Sequence, residues 1–390
     1  MLSALFVEVM PLNDVLLYGW WLQLMQQGQP IFGIGQPFVY PYPSLLPMWL
    51  AQFLGGPAGI LVGWTTLVAL LNVAAVGFLT GWSKGSRSGY LAAWFWIAFL
   101  VLLGPVGIGR IDSISVGLAI IGVVCFANQR LFSAMVLFTF GAWLKIWPVA
   151  LGIAALISQK SRKAMGYAAA VTVSVVFLVA FFLGADSSVL SFVFTQGSRG
   201  IQIEAPIATP WLWAAKFGLG NAGIYFDKEI ITNQVSGDLV QLVSPLMTAA
   251  MAIALAITVW LGVRAFKNGS PRNQIFVTVA LTAVLDLIVF NKVGSPQFMT
   301  WLAVPVIAWI YLNQQGRWFA IGVVLTVALL TNLVYPILYL DLMALGNLSI
   351  SILTIRNLLL IALLIWANVQ LGNLGKSSKS QAVAESSVQA

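Results

Sequence analysis

The sequence predicts an all-α polytopic membrane protein with about ten transmembrane helices, at roughly 20 apolar residues per crossing. Of its 390 residues, 60% are hydrophobic and only 8% are charged. The apolar residues form long runs separated by short polar breaks. Soluble domains carry roughly 25% charged residues, so an ordinary soluble domain is excluded. A disordered or nucleic-acid-binding protein is excluded too, despite the net charge of +8.

The composition also limits the chemistry that the chain can perform. Histidine is absent, which removes histidine-ligated metals and histidine general bases. The one cysteine, Cys125, makes neither an intrachain disulfide nor a zinc cluster. No D-x-D cluster and no glycine-rich phosphate loop is present. We therefore expect no metal and no cofactor.

Hydropathy divides the chain into three parts, which are an external region 1–56, a helical domain 57–371 and a disordered tail 372–390 rich in Ser, Lys, Gln and Ala. The domain includes an external loop, 185–238. The predicted spans are 57–82, 88–104, 106–127, 131–144 with 147–157, 164–184, 239–264, 273–290, 298–313, 317–334 and 348–371.

The first region contains an amphipathic stretch, 14–27, which we expect to lie flat on the membrane with Trp20 and Trp21 at the interface. No signal or span precedes it. Residues 1–12, MLSALFVEVMPL, resemble the outer end of a helix. Our hypothesis is that a first span lies upstream of residue 1, and sequencing the N-terminus of the native protein would test it.

Basic residues are concentrated in alternate breaks between the spans. Twelve of the 19 lie there, with a single acid, Glu385. They are Lys84, Arg87, Arg130, Lys160, Arg162, Lys163, Arg264, Lys267, Arg272, Arg317, Lys376 and Lys379. The positive-inside rule places these breaks and the C-terminus in the cytoplasm. The remaining acids and bases then face outward, in a cell (plasma) membrane.

The segment 131–157 has basic flanks on both sides, so both of its ends should be cytoplasmic. It must therefore turn, and Pro148 predicts a break at 145–148. Irregular backbone at membrane depth is tolerated only against protein or a water-filled cavity. We expect a broken hairpin that lines a cavity.

Charges near the bilayer are costly and are candidates for functional sites. Apart from Arg356, Asp286 and Lys145, nearly all of the outer charges sit at span ends. Asp14 is either a helix N-cap or a catalytic or substrate-binding carboxylate. Tyr40, in YPYP, lies in a stiff loop or stacks on a sugar or prenyl unit.

The other outer candidates also have two interpretations. Arg110 and Asp112 either pair with each other or recognise an anionic group and a hydroxyl. Lys145 either snorkels to water or binds phosphate in a cavity. Loop polarity alone could explain a further group, which consists of Arg199, Gln202, Glu204, Lys292 and Gln297.

Taken together, a carboxylate and several cations at the outer ends of the spans favour chemistry on a lipid phosphate. The lipid tail needs an apolar groove, and the phosphate needs Arg or Lys. Sugar transfer from such a lipid needs one base for the acceptor hydroxyl and cations for the departing phosphate. One carboxylate suffices for an inverting displacement.

Five segments resemble the actinobacterial branch of the glycosyltransferase 87 family, and they occur in order over most of the chain. They are the stretch from Asp14 to Tyr18 followed by FVYPYP, GRIDSISVGL, FGAWLKIWPVAL, SRGIQIEAPIATPWLW and NKVGSPQFMTWL. This family has the GT-C fold and includes polyprenyl-phosphate-mannose-dependent α-mannosyltransferases. The family's first span is absent or truncated here, and any family member whose site uses histidine is no guide to this chain, which has none.

The resemblance implies a donor such as decaprenyl-phosphate-mannose, an external active site and a metal-independent mechanism. Asp14 matches the family's expected base, although the residues themselves leave Glu204 open as an alternative. The implied donor pocket comprises Arg110, Asp112, Lys145, Arg199, Gln202 and Glu204, with Lys292, Gln297, Tyr18 and Tyr40 as further members. The acceptor would be a glycolipid or cell-envelope glycan.

Two other functions compete with the transferase. Broken helices also suit a transporter or flippase of lipid-linked sugars, but no internal repeat is visible and the charges gather at the outer mouth. The second competing function is a non-catalytic membrane scaffold. The size of the outer polar set argues against it, since a scaffold gains nothing from semi-buried charge.

Overall fold

Helices make up most of the protein. The computed structural model describes residues 10–195, 200–228 and 232–388. The helices are α1 (Asn13–Gln26), α2 (Leu45–Gly55), α3 (Ile60–Leu79), α4 (Arg87–Leu103), α5 (Asp112–Ala127), α6 (Leu131–Leu144), α7 (Val149–Ser158), α8 (Lys163–Phe182), α9 (Ser191–Thr195), α10 (Thr209–Lys216), α11 (Val240–Lys267), α12 (Arg272–Val289), α13 (Met299–Tyr311), α14 (Arg317–Asn332), α15 (Tyr339–Met343) and α16 (Asn347–Val388).

Seven helical segments of the described chain are long and apolar enough to cross a membrane. They are Ile60–Leu79, Arg87–Gly107, Lys163–Phe182, Val240–Lys267, Arg272–Val289, Arg317–Ile337 and Asn347–Leu374. The apolar helices α5, α6 and α7 are shorter. The predicted spans coincide with helices whose ends shift by a few residues, so the helical membrane architecture is confirmed. The count of about ten crossings stays a prediction.

The predicted break in 131–157 is present. Helix α6 ends at Leu144, and Lys145 is extended, with φ −155° and ψ 127°. Pro148 then precedes the first residue of α7. Proline lacks the N–H that would continue α6. Because the backbone is extended at the break, the Lys145 side chain leaves the helix surface and joins the site described below.

The first region contains two helices. The predicted interfacial helix 14–27 corresponds to α1, which buries Val15, Tyr18 and Leu22. Trp20 is 53% exposed on the opposite side of α1. Helix α2 follows the YPYP segment and packs against α3. The region is therefore anchored on the helical domain along one face.

The loop 185–238 has regular structure that the all-α prediction lacks. Strands β1 (Gly223–Asp227) and β2 (Thr232–Ser236) pair antiparallel, with Gly223 opposite Ser236. Neither strand sequence, GIYFD nor TNQVS, shows the strict alternation of apolar and polar residues that marks a half-buried strand.

The helix at the end of the chain overlaps the predicted tail. Helix α16 extends to Val388, whereas the composition predicts a disordered tail over 372–390, which stays a prediction. Propagating an existing helix costs far less than nucleating one. The segment 376–388 contains no proline or glycine, and its alanine, lysine and glutamine are good helix formers.

Basic breaks of the sequence meet in pairs in the structure. The Arg272 guanidinium donates to Gln159 Oε1 at 3.4 Å. Ser88 Oγ donates to the Tyr311 carbonyl at 3.1 Å. These contacts join breaks that are distant in sequence, as expected if all of them share one side of the membrane.

Candidate active site at the helix ends

An ion pair joins the first region to the start of α5. Arg110 Nη1 lies 2.7 Å from Asp14 Oδ1. Gly109 permits this approach, because a Cβ there would lie 2.5 Å from Leu12 Cδ2. The glycine of GIGR therefore brings the backbone before α1 against the loop that carries Arg110.

A second carboxylate–cation pair lies beside the first. Lys145 Nζ is 3.8 Å from Asp112 Oδ2. Trp301 Nε1 donates to Asp112 Oδ1 at 2.7 Å, and its ring stacks on Trp147 and Phe298. The mutual Arg110–Asp112 pair that the sequence allowed is therefore not formed, since each residue has a different charged partner.

The predicted tyrosines lie in the same cluster. Lys145 Nζ sits over the Tyr40 ring, 4.7 Å from its centroid. Trp21 and Phe38 hold that ring by edge contacts, with centroids 6.1 and 5.7 Å away. Tyr18 is fully buried, and its hydroxyl accepts from the Ile111 N–H at 3.0 Å. The cation–π contact explains how an apolar wall can hold Lys145.

Asp14 is reachable from solvent, with 33% of its side chain exposed. Burial raises the pKa of Asp14, while Arg110 and Lys145 oppose that rise. The N-cap position of α1 belongs to Leu12, and no side chain caps the helix. The capping interpretation of Asp14 is therefore wrong.

Arg110 has hydrogen-bonding capacity left over. Its Nη2 donates to the Tyr335 hydroxyl at 3.3 Å. Its buried Nε has no hydrogen-bond partner among the described residues, and neither does Asp112 Oδ2. A buried donor without an acceptor is costly. The arrangement therefore suits a bound molecule that supplies an anionic oxygen to Arg110.

A second cluster forms where the loop after residue 200 meets the turn before α13. The Gln202 N–H donates to the Lys292 carbonyl at 2.9 Å, and Ser295 Oγ donates to Gln202 Oε1 at 3.3 Å. The side chain of Lys292 is buried. A Cβ on Gly294 would lie 2.0 Å from the Ala205 nitrogen. Glycine is thus needed for the two segments to touch.

Glu204 is held in a buried ion pair. Arg356 Nη1 lies 2.9 Å from Glu204 Oε2, and Arg356 Nη2 donates to the Glu204 carbonyl. Asn357 accepts from the same guanidinium and donates to Thr209. Burial raises the pKa of Glu204, and Arg356 opposes the rise. These contacts fix the loop 200–209 to α16.

Tyr335 lies between the two clusters. It interacts electrostatically with Arg110, Asp14 and Glu204. Its ring meets Tyr339 edge-on at 4.9 Å. The two clusters therefore border one region, to which most of the predicted site residues contribute.

Among the described residues, the Gln297 side chain makes no hydrogen bond to either cluster. Gln297 is half-buried, and its carbonyl accepts from Thr300 Oγ1 at 2.7 Å. Arg199 lies outside the described residues. Among the described residues, no group of three or more His, Cys, Asp and Glu side chains could hold a metal ion.

Sequence reasoning missed three residues of the site. Tyr335 and Trp301 hydrogen-bond the key charges, and Arg356 pairs with Glu204. The one available signal was Arg356, an arginine within an apolar span, which demands a buried partner. Tyr335 and Trp301 gave no signal, because aromatic residues are common at span ends.

Comparison with known proteins supports a glycosyltransferase. The model of Glycosyltransferase family 87 matches residues 38–290, more than half of the chain. That range includes Tyr40, Arg110, Asp112, Lys145 and Glu204. No curated protein matches the chain. The protein belongs to glycosyltransferase family 87 and is a membrane glycosyltransferase.

Proposed function

We propose that the protein transfers mannose from a polyprenyl-phosphate donor to a glycolipid or cell-envelope acceptor, with inversion and without a metal. Asp14 is the general base that takes the proton from the acceptor hydroxyl. The observation that carries this proposal is Asp14 at 2.7 Å from Arg110, whose buried Nε has no hydrogen-bond partner among the described residues.

Arg110 and Lys145 bind the donor phosphate. Both lie beside a carboxylate, so the site keeps its charge balanced before the donor arrives. Arginine donors are suited to phosphate oxygens. As the bond from sugar to phosphate breaks, negative charge grows on the phosphate, and fixed cations stabilise it.

Asp14 is the better base of the two carboxylates that the sequence left open. Its side chain is 33% exposed, whereas that of Glu204 is 5% exposed and is held by Arg356. A base must reach the proton that it removes. The raised pKa of Asp14 also makes its carboxylate a stronger proton acceptor at neutral pH.

The remaining site residues position the donor. Tyr40 packs on Lys145, and Asp112 accepts from Trp301. Gln202 and Lys292 would lie along the sugar side of the pocket, and Tyr18 would support the Asp14–Arg110 side. Gln297 and Arg199 stay further candidates for donor binding, and Arg199 lies outside the described residues. The active site faces outside the plasma membrane, and the C-terminus is cytoplasmic, in line with the basic end of the bundle.

The test is sugar transfer by the purified protein in vesicles. The donor is labelled polyprenyl-phosphate-mannose, polyprenyl-phosphate-glucose is the comparison, and total membrane glycolipid is the acceptor pool. We expect labelled glycolipid from the mannose donor, and the product identifies the acceptor. Transfer from neither donor, together with movement of intact donor across the vesicle membrane, would refute the proposal.

A further inference from the structure

We propose that the end of the bundle opposite the active site binds the phosphate of an anionic phospholipid headgroup. Helices α4, α5 and α13 each carry or adjoin site residues at one end. Their other ends surround two adjoining cavities of about 1030 and 560 Å³. Ser86 and Asn313 line both cavities, so the two cavities adjoin and are treated as one site.

Four cations from three separate breaks line this site. Lys84 and Arg130 line the larger cavity, and Arg87 and Arg317 line the smaller one. The lining residues include no carboxylate. Within the described ranges, none of the four cations forms an ion pair. Lys84, Arg87 and Arg130 are exposed, so the site presents a positive charge that a bound anion would balance.

The helix termini add to this charge. Arg87 is the first residue of α4, Arg317 is the first residue of α14, and Arg130 directly precedes α6. A helix N-terminus carries partial positive charge, which disfavours a cation and favours an anion. Three arginines at such termini suit a phosphate.

The surroundings favour a lipid as the source of the phosphate. Trp82 and Trp318, at the rims of the two cavities, are each 62% exposed. Exposed tryptophans of membrane proteins sit at headgroup level. Basic pockets between transmembrane helices on the cytoplasmic side bind anionic headgroups.

The positive-inside rule alone would explain why this end of the bundle is basic, without any lipid-binding site. Lys163 allows the two explanations to be separated. It is the first residue of α8, lies on the same basic end and is exposed, but it lines neither cavity. A purely topological role would make Lys163 equivalent to the cavity arginines.

The test is a lipid titration of the purified full chain, read out by native mass spectrometry. Phosphatidylglycerol should bind saturably and more tightly than phosphatidylcholine. Arg130→Gln and Arg317→Gln should each weaken its binding about fivefold, the effect of one basic residue near an anionic lipid. Lys163→Gln should leave the affinity unchanged.

Three results would overturn the inference. They are equal binding of both lipids, equal weakening by Lys163→Gln, and displacement of phosphatidylglycerol by an equimolar amount of inorganic phosphate. The last result would assign the site to free phosphate. Because no sugar transfer is measured, the outcome is independent of the proposed reaction.

Discussion

The ion pair between Arg356 and Glu204 gives the sharpest prediction for stability. Both side chains are almost fully buried, at 2% and 5% exposed. Arg356→Met removes the positive charge and leaves the carboxylate of Glu204 without its partner. Breaking a buried pair in this way costs about 3–5 kcal/mol.

A second variant separates the charge effect from the loss of packing. In Arg356→Met/Glu204→Met neither charge remains, so the penalty for an unpaired carboxylate disappears. The Glu204 carbonyl and Asn357 Oδ1 still lose their donor, which leaves about 1–3 kcal/mol of destabilisation. The double variant should therefore be more stable than the single one.

Equilibrium unfolding in mixed detergent micelles measures both variants against wild type. The comparison forms part of a double-mutant cycle, which isolates the interaction between neighbours. A single variant within about 1 kcal/mol of wild type would refute the reasoning. A double variant less stable than the single one would refute it as well.

Three further predictions concern the reaction. Tyr335→Phe removes the hydroxyl that Arg110 Nη2 contacts. The donor KM should rise about tenfold or more, since a hydrogen bond to a charged group is lost. Tyr339→Phe is the control, and an equal rise of KM in both variants would contradict the role of Tyr335. Trp301→Phe keeps the ring stack but removes the N–H bonded to Asp112, so steady-state kinetics should show a raised donor KM, and an unchanged KM would contradict that role. Transfer should also fail as pH falls through the pKa of Asp14, because the base must be deprotonated. Burial raises that pKa, so the fall of kcat/KM on the acid side of the pH profile should have its midpoint above the usual aspartate pKa of about 3.9. A midpoint at or below that value would contradict the assignment of Asp14 as the base.

The sequence predicted the helices well because long apolar runs and proline breaks are local signals. The break at Pro148 and the position of Lys145 beside it followed from one proline and two basic flanks. The strands Gly223–Asp227 and Thr232–Ser236 were missed, because their pairing depends on contacts between segments rather than on a run of apolar residues.

The charged half of the site was predictable for an energetic reason. Asp14, Arg110 and Lys145 are costly near a bilayer, so each one draws attention in a sequence. Their partners were not predictable in the same way. The choice of Asp14 over Asp112 as the partner of Arg110 depends on the close approach at Gly109, which no sequence pattern reveals.

The assignment of Asp14 as the base can be tested most directly by Asp14→Asn. The change is nearly isosteric, so folding and donor binding should be retained. The kcat for sugar transfer should fall about 10²–10⁴-fold, the contribution of a general base. Glu204→Gln, measured on correctly folded protein, should keep most of its turnover. Full turnover by Asp14→Asn, or loss of catalysis only in Glu204→Gln, would contradict the account.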